Sequence, residues 1–195
     1  MFRLNKKYRD SLLRNKTRSN ILPIYDNMMN DLKDILNTIY NSNNIKYSQE
    51  LKILEIGTGN GNNSTQMLYN FALSTNKKFK IISYEGDVSS YENAKKIWMN
   101  NKNIDIINEY FTNKLDIMNL LIPNLPEHII DYDINKESFI KKYLLIEKKI
   151  NFFSSLQYIP DIIFIDSSRF MHLPIINLCY ELLSSDNETI IIMEE

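Results

Sequence analysis

Leu54-Glu55-Ile56-Gly57-Thr58-Gly59-Asn60-Gly61 holds three of the chain's four glycines, and the fourth, Gly86, stands directly after Glu85. A chain this poor in glycine forms its other turns with Asn, Asp and Ser. It keeps glycine where a side chain would block a backbone turn or a ligand. Residues 52–56 read as a short buried strand before the loop, and 63–72 as a helix after it with Leu68, Phe71 and Ala72 inward. Strand, glycine turn and helix make half of a nucleotide-binding unit, in which the helix N-terminus offers free N–H groups. In the dinucleotide fingerprint the third glycine comes three residues after the second, whereas Gly61 comes two after Gly59 and position 62 is Asn.

Glu55 separates the ligand classes further. A carboxylate at the mouth of the loop would repel a pyrophosphate and attract a cation. The second strand, 80–84, ends at Glu85, where a carboxylate can accept both hydroxyls of a ribose. A helix over 87–96 follows, with Ser89 or Ser90 as its expected cap. Glu55-x-Gly57-x-Gly59-x-Gly61 resembles the first motif of class I S-adenosylmethionine-dependent methyltransferases. The resemblance implies that Glu55, Gly57, Gly59 and Gly61 hold the methionine end of the cofactor, which carries a sulfonium and an ammonium. It also implies that Glu85 binds the ribose, and it puts Glu109 near the adenine.

Further strands are expected at 104–108, 161–165 and 189–193, with a helix over 173–183. This alternation is that of an α/β protein with a doubly wound, mainly parallel sheet. The resemblance implies a Rossmann-like strand order of 3-2-1-4-5 with helices on both faces. The usual antiparallel C-terminal hairpin is missing from the sequence, which leaves strand five as an apolar edge expected to be covered within the chain or in a homodimer. Residues 1–50 read as a helical cap, with Ile24, Met28, Leu32, Ile35, Leu36 and Ile39 at helical spacing. Residues 51–195 read as the cofactor domain. Within it about 111–160 read as an insertion, a lid or oligomer surface containing Ile122-Pro123-Asn124-Leu125-Pro126 and an amphipathic helix over 136–153. His128 reads as a surface loop residue.

Asp161-Ile162-Ile163-Phe164-Ile165-Asp166 and Ile190-Ile191-Ile192-Met193-Glu194-Glu195 are buried strands whose carboxyl ends carry acids. Strand ends of a parallel sheet open on one crevice, so Asp166, Glu194 and Glu195 are candidates to converge beside the cofactor. The pattern resembles metal-dependent O-methyltransferases of the catechol, caffeoyl-coenzyme A and macrocin type, which implies that these acids hold Mg²⁺ or a similar ion against a substrate hydroxyl. Where that type has a general-base lysine this chain has Arg169, which keeps its proton. His172, three residues on, is the candidate base.

The 195 residues suit one domain with a full core, and 23 basic against 24 acidic residues leave the charge near zero. No secretory signal or membrane-spanning run is visible, and the single cysteine, Cys179, excludes an internal disulfide and fits a reducing, cytoplasmic location. Up to Arg18 seven basic residues stand against Asp10. This arm is either a solvated terminus or a contact for RNA. The sequence thus points to an S-adenosylmethionine-dependent methyltransferase acting on a hydroxyl group of a small molecule. The alternatives are a catalytically inactive binding or structural subunit of the same fold, and an RNA methyltransferase.

Overall fold

Strands in the middle of a parallel sheet are covered on both faces, so they need continuous apolar runs rather than alternation. The computed structural model describes residues 33–38, 40–41, 49–109, 128–129, 134–138, 159–167, 171–172, 175–176, 179 and 189–193. In it β1 spans Glu50–Ile56, α1 Ser64–Ser74, β2 Lys78–Tyr84, α2 Val88–Trp98 and β3 Ile104–Ile107. Further on, β4 spans His128–Ile129, β5 Ile134–Asn135, β6 Ile162–Ile165 and β7 Ile190–Met193. Five strands form one sheet in the order β3-β2-β1-β6-β7, with every neighbouring pair parallel. Counted as the chain enters the sheet, this is 3-2-1-4-5, the Rossmann-like order expected from the sequence.

β1 and β2 each begin two residues earlier than the apolar pattern suggests, because the ladder continues through Glu50↔Lys78 and Leu51↔Phe79. On one face of the sheet Leu51, Ile53, Phe79, Ile81, Ile104, Ile162 and Phe164 pack with Met67, Leu68, Phe71 and Ala72 of α1, with Trp98 of α2 and with Leu36. The alternating residues Leu54, Ile56, Ile82, Ile163 and Ile165 are buried too. Met171, Ile175 and Cys179, four residues apart as on one helix face, are also buried. Phe71 is 1% exposed and meets Tyr40 edge-on at 6.1 Å. Burying such a ring stabilises the fold by about 1.5–3 kcal/mol, and its truncation to alanine would cost about 3–5 kcal/mol.

α2 starts differently from the expectation of a Ser89 or Ser90 cap. Val88 is already helical, so the cap falls to Asp87, whose carboxylate accepts from the Ser90 N–H at 2.9 Å. Lys95 and Lys96 sit in the last turn of α2, where they oppose the negative end of the helix dipole. His128 is not in a loop: β4 pairs antiparallel with β5 through His128↔Asn135 and Ile129↔Ile134, a hairpin too short to leave an apolar pattern. β7 pairs with β6 at one edge of the sheet, and its four residues are partly buried. The basic arm up to Arg18, the proline-rich turn, Arg169, Glu194 and Glu195 lie outside the described residues. Among the described residues no helix is long and apolar enough to cross a membrane.

Candidate functional site

The register Ile56↔Tyr84, Tyr84↔Ile107 and Ile56↔Ile165 ends the strands at one level. The residues that follow, Gly57, Glu85, Asn108 and Asp166, therefore share one rim. Backbone bonds tie it together: Gly57 N–H donates to Tyr84 O at 2.9 Å, Glu85 N–H to Ile107 O at 2.9 Å, and Asp166 N–H to Ile56 O at 2.8 Å. Asn108 reaches across, donating from Nδ2 to Glu85 O at 2.9 Å.

The glycines of the loop have different reasons. Gly57, Gly59 and Gly61 have φ of +99°, +54° and +78°, which disfavours any side chain. A Cβ on Gly57 would lie 1.7 Å from the Asp166 carbonyl oxygen, and one on Gly61 would lie 3.0 Å from Ala94 and from Trp98 Nε1. Those two glycines serve the packing of the chain against itself. Only at Gly59 would a Cβ meet no atom of the described residues within 4 Å. Of the three loop glycines, Gly59 alone therefore faces open space among the described residues, and Gly86 does not adopt a positive φ. The loop is anchored below by Thr58, 2% exposed. Its N–H donates to Tyr84 O at 3.3 Å, and its hydroxyl bonds Ser83 Oγ.

Glu85 lies where the sequence put it and is more constrained than a solvated strand end. Its Oε2 accepts from Gly59 N–H and its Oε1 from Asp87 N–H, both at 2.7 Å. The carboxylate thus joins the glycine loop to the start of α2, and each oxygen retains a second lone pair. Burial raises its pKa, while the Asp87 and Gly59 N–H bonds oppose the shift.

Glu55 departs from its expected place at the loop mouth: it is fully buried beneath the loop. As the register partner of Ser83 it points into the interior, where Oε2 accepts from Ser83 Oγ at 2.6 Å and Thr65 Oγ1 at 2.8 Å. Because Ser83 spends its proton on Glu55, Thr58 is the donor in the Thr58–Ser83 bond. Burial pushes the Glu55 carboxyl up to about 7, against the nearby hydroxyls of Ser83, Ser64 and Thr65 that lower it. Glu55 Oε1, Ser64 Oγ and Ser167 Oγ are buried with no hydrogen-bond partner among the described residues. The Ser64 hydroxyl nevertheless lowers the pKa of both Glu55 and Asp166, which places it near both acids without good bond geometry. Thr58, Ser64, Thr65 and Ser83 escaped the sequence reading, since lone hydroxyls in apolar elements carry no pattern.

Burial raises the Asp166 pKa, and Ser64 and His172 lower it. His172 is partly buried, and its Nε2 lies 3.0 Å from Ser167 O. A carbonyl only accepts, so Nε2 carries the proton and Nδ1 is the basic atom of the neutral ring. Glu109 is partly buried, and its N–H donates to Ile107 O at 3.1 Å. Among the described residues no three His, Cys, Asp or Glu side chains gather as a metal site. Cys179 is inert, its thiol pushed up to about 12 by burial.

No protein-family model matches the chain, and no curated protein matches it. Solved structures similar to it include a putative S-adenosyl-L-methionine-dependent methyltransferase of Methanococcus maripaludis, at 18% identity and TM-score 0.44, covering 99% of this chain and 67% of that one. A second is the plantazolicin methyltransferase BpumL in complex with SAH, at 16% identity and TM-score 0.42, covering 90% of this chain and 51% of that one. A third is a chain of the fibrillarin/Nop5p complex, at 10% identity and TM-score 0.43, covering 75% of this chain and 51% of that one. The chain therefore spans about half the length of two of these proteins. Likenesses this distant leave the functional argument to the site itself.

Proposed function

We propose that the chain is a class I S-adenosylmethionine-dependent methyltransferase that methylates a hydroxyl oxygen of a small molecule. One observation carries the reading. Glu85, at the rim, has both oxygens aimed by the N–H groups of Gly59 and Asp87, beside the one loop glycine that faces open space. That is an acceptor pair for the two hydroxyls of a ribose next to a backbone that a ligand can approach closely.

The residues present fit this cofactor better than a dinucleotide. Glu55, Glu85 and Asp166 surround the loop with acid groups, which disfavour a pyrophosphate and favour a ligand with cationic groups. Glu55 Oε1, buried beneath the loop with no partner among the described residues, adds an acceptor for such a ligand. When bound, S-adenosylmethionine supplies an electrophilic methyl group on sulfur. Glu85 would hold its ribose, the open face of Gly59 would admit it, and the Glu55 carboxylate would favour its charged end. His172 would take the acceptor's hydroxyl proton at Nδ1, leaving the oxygen free to attack. We further propose that Asp166, Glu194 and Glu195 would hold Mg²⁺, which would lower the pKa of the acceptor hydroxyl.

Calorimetry with S-adenosylmethionine and S-adenosylhomocysteine, followed by transfer of a labelled methyl group to pools of hydroxyl compounds, tests the reading. Failure to bind either ligand would end it. Binding without transfer to any pool would leave the inactive binding subunit in its place.

A further inference from the structure

We propose that Trp98, which lies on α2 outside the ligand-contacting rim, is a positioning residue for the glycine loop, and that its indole N–H sets cofactor affinity by fixing the peptide group after Gly61. The inference rests on the S-adenosylmethionine reading above.

The loop is pinned at two buried points. Thr58 is held to β2 through Tyr84 O and Ser83 Oγ. Gly61 is held to α2, because Trp98 Nε1–H donates to Gly61 O at 2.8 Å. Gly61 N–H closes the turn between the two points by donating to Thr58 O at 3.1 Å. Gly59 and Asn60 between the pins, and Asn62 and Asn63 beyond them, are exposed. A peptide group is planar and trans, so its C=O and N–H point to opposite sides. With the Gly61 C=O drawn toward α2, the Asn62 N–H must point away from α2.

The indole is well placed to enforce this. Trp98 is 6% exposed and is held at 5.2 Å by the Tyr69 ring. Its N–H is the only polar atom of the ring and needs a partner when buried. Ala94 and Trp98 would crowd a Cβ at position 61, at 3.0 Å, so α2 fixes the loop by contact as well as by the hydrogen bond.

Trp98 is the only tryptophan in the chain, so replacing tryptophan throughout the protein changes this position alone. Incorporating β-(3-benzothienyl)alanine keeps the two-ring shape and substitutes sulfur for the N–H. The dissociation constant for S-adenosylhomocysteine, measured well below the unfolding midpoint, should rise about three- to tenfold, as expected for loss of one hydrogen bond. Trp98→Phe should shift it in the same direction. In the unsubstituted protein, Trp98 emission should shift as S-adenosylhomocysteine saturates. A lower unfolding midpoint with an unchanged dissociation constant would make Trp98 purely structural and overturn the proposal. No binding by the unsubstituted protein would instead overturn the cofactor reading, and this proposal with it.

Discussion

Glu85→Ala removes the acceptor that joins two N–H groups, each at 2.7 Å, to the expected ribose position. Hydrogen bonds to a charged group contribute about 1.5–3 kcal/mol each, so loss of even one ribose contact should weaken binding by about 10- to 150-fold. S-adenosylmethionine and S-adenosylhomocysteine share the ribose and should weaken by the same factor. Stability should change little, under about 1 kcal/mol, because Gly59 and Asp87 are exposed and water can replace the carboxylate. Glu85→Gln should fall between wild type and Ala, since its amide NH₂ must face the N–H of either Gly59 or Asp87. Burial raises the Glu85 pKa, so wild-type affinity should also fall as acid protonates the carboxylate. Calorimetry on the three proteins measures all of this. An unchanged dissociation constant in Glu85→Ala, or a loss for one ligand and not the other, would remove Glu85 from the ribose site.

The two neighbouring glycines should part company on substitution to alanine. Gly57→Ala drives a Cβ to 1.7 Å from the Asp166 carbonyl and should prevent stable folding. Gly59→Ala meets no atom of the described residues and should cost only about 1–2 kcal/mol for its left-handed backbone, while greatly weakening S-adenosylhomocysteine binding; thermal unfolding and calorimetry read the contrast. Glu55 has its carboxyl raised from 4.5 to about 7 by burial. Between those values the folded state holds a proton that the unfolded state has lost. Its contribution to stability is therefore full below 4.5, falls by about 1.4 kcal/mol per pH unit as pH rises toward 7, and is flat above. Glu55→Gln should remove that part of the slope from denaturation curves recorded between pH 5 and 8; an identical slope would mean that Glu55 is ionised throughout. If Asp166, Glu194 and Glu195 hold Mg²⁺, chelator and Asp166→Ala should each abolish methyl transfer while S-adenosylhomocysteine still binds, and activity indifferent to both would dismiss the ion. His172→Ala should lower turnover about 10²- to 10⁴-fold, and full activity in that variant would dismiss it as the base.

The sequence by itself determined the sheet and the rim. The apolar run 162–165 suits a strand covered on both faces. A parallel sheet then places whatever follows its strands along one edge, so Glu85 and Asp166 could be assigned to that edge from spacing alone. Only the tertiary structure decided what each rim residue does, because that depends on contacts between segments far apart in the chain. Three glycines that look equivalent in sequence answer to three different neighbours: the Asp166 carbonyl, open space, and the Ala94–Trp98 face of α2. Glu55 reads as a residue at a loop mouth, yet strand alternation and its register with Ser83 turn it inward, where burial rather than a ligand sets its pKa. The Asp87 cap depended on where α2 begins, a boundary that local propensity leaves open by a residue or two. Trp98 gave no signal at all, since a hydrogen bond linking positions 37 residues apart exists only once α2 has folded against the loop.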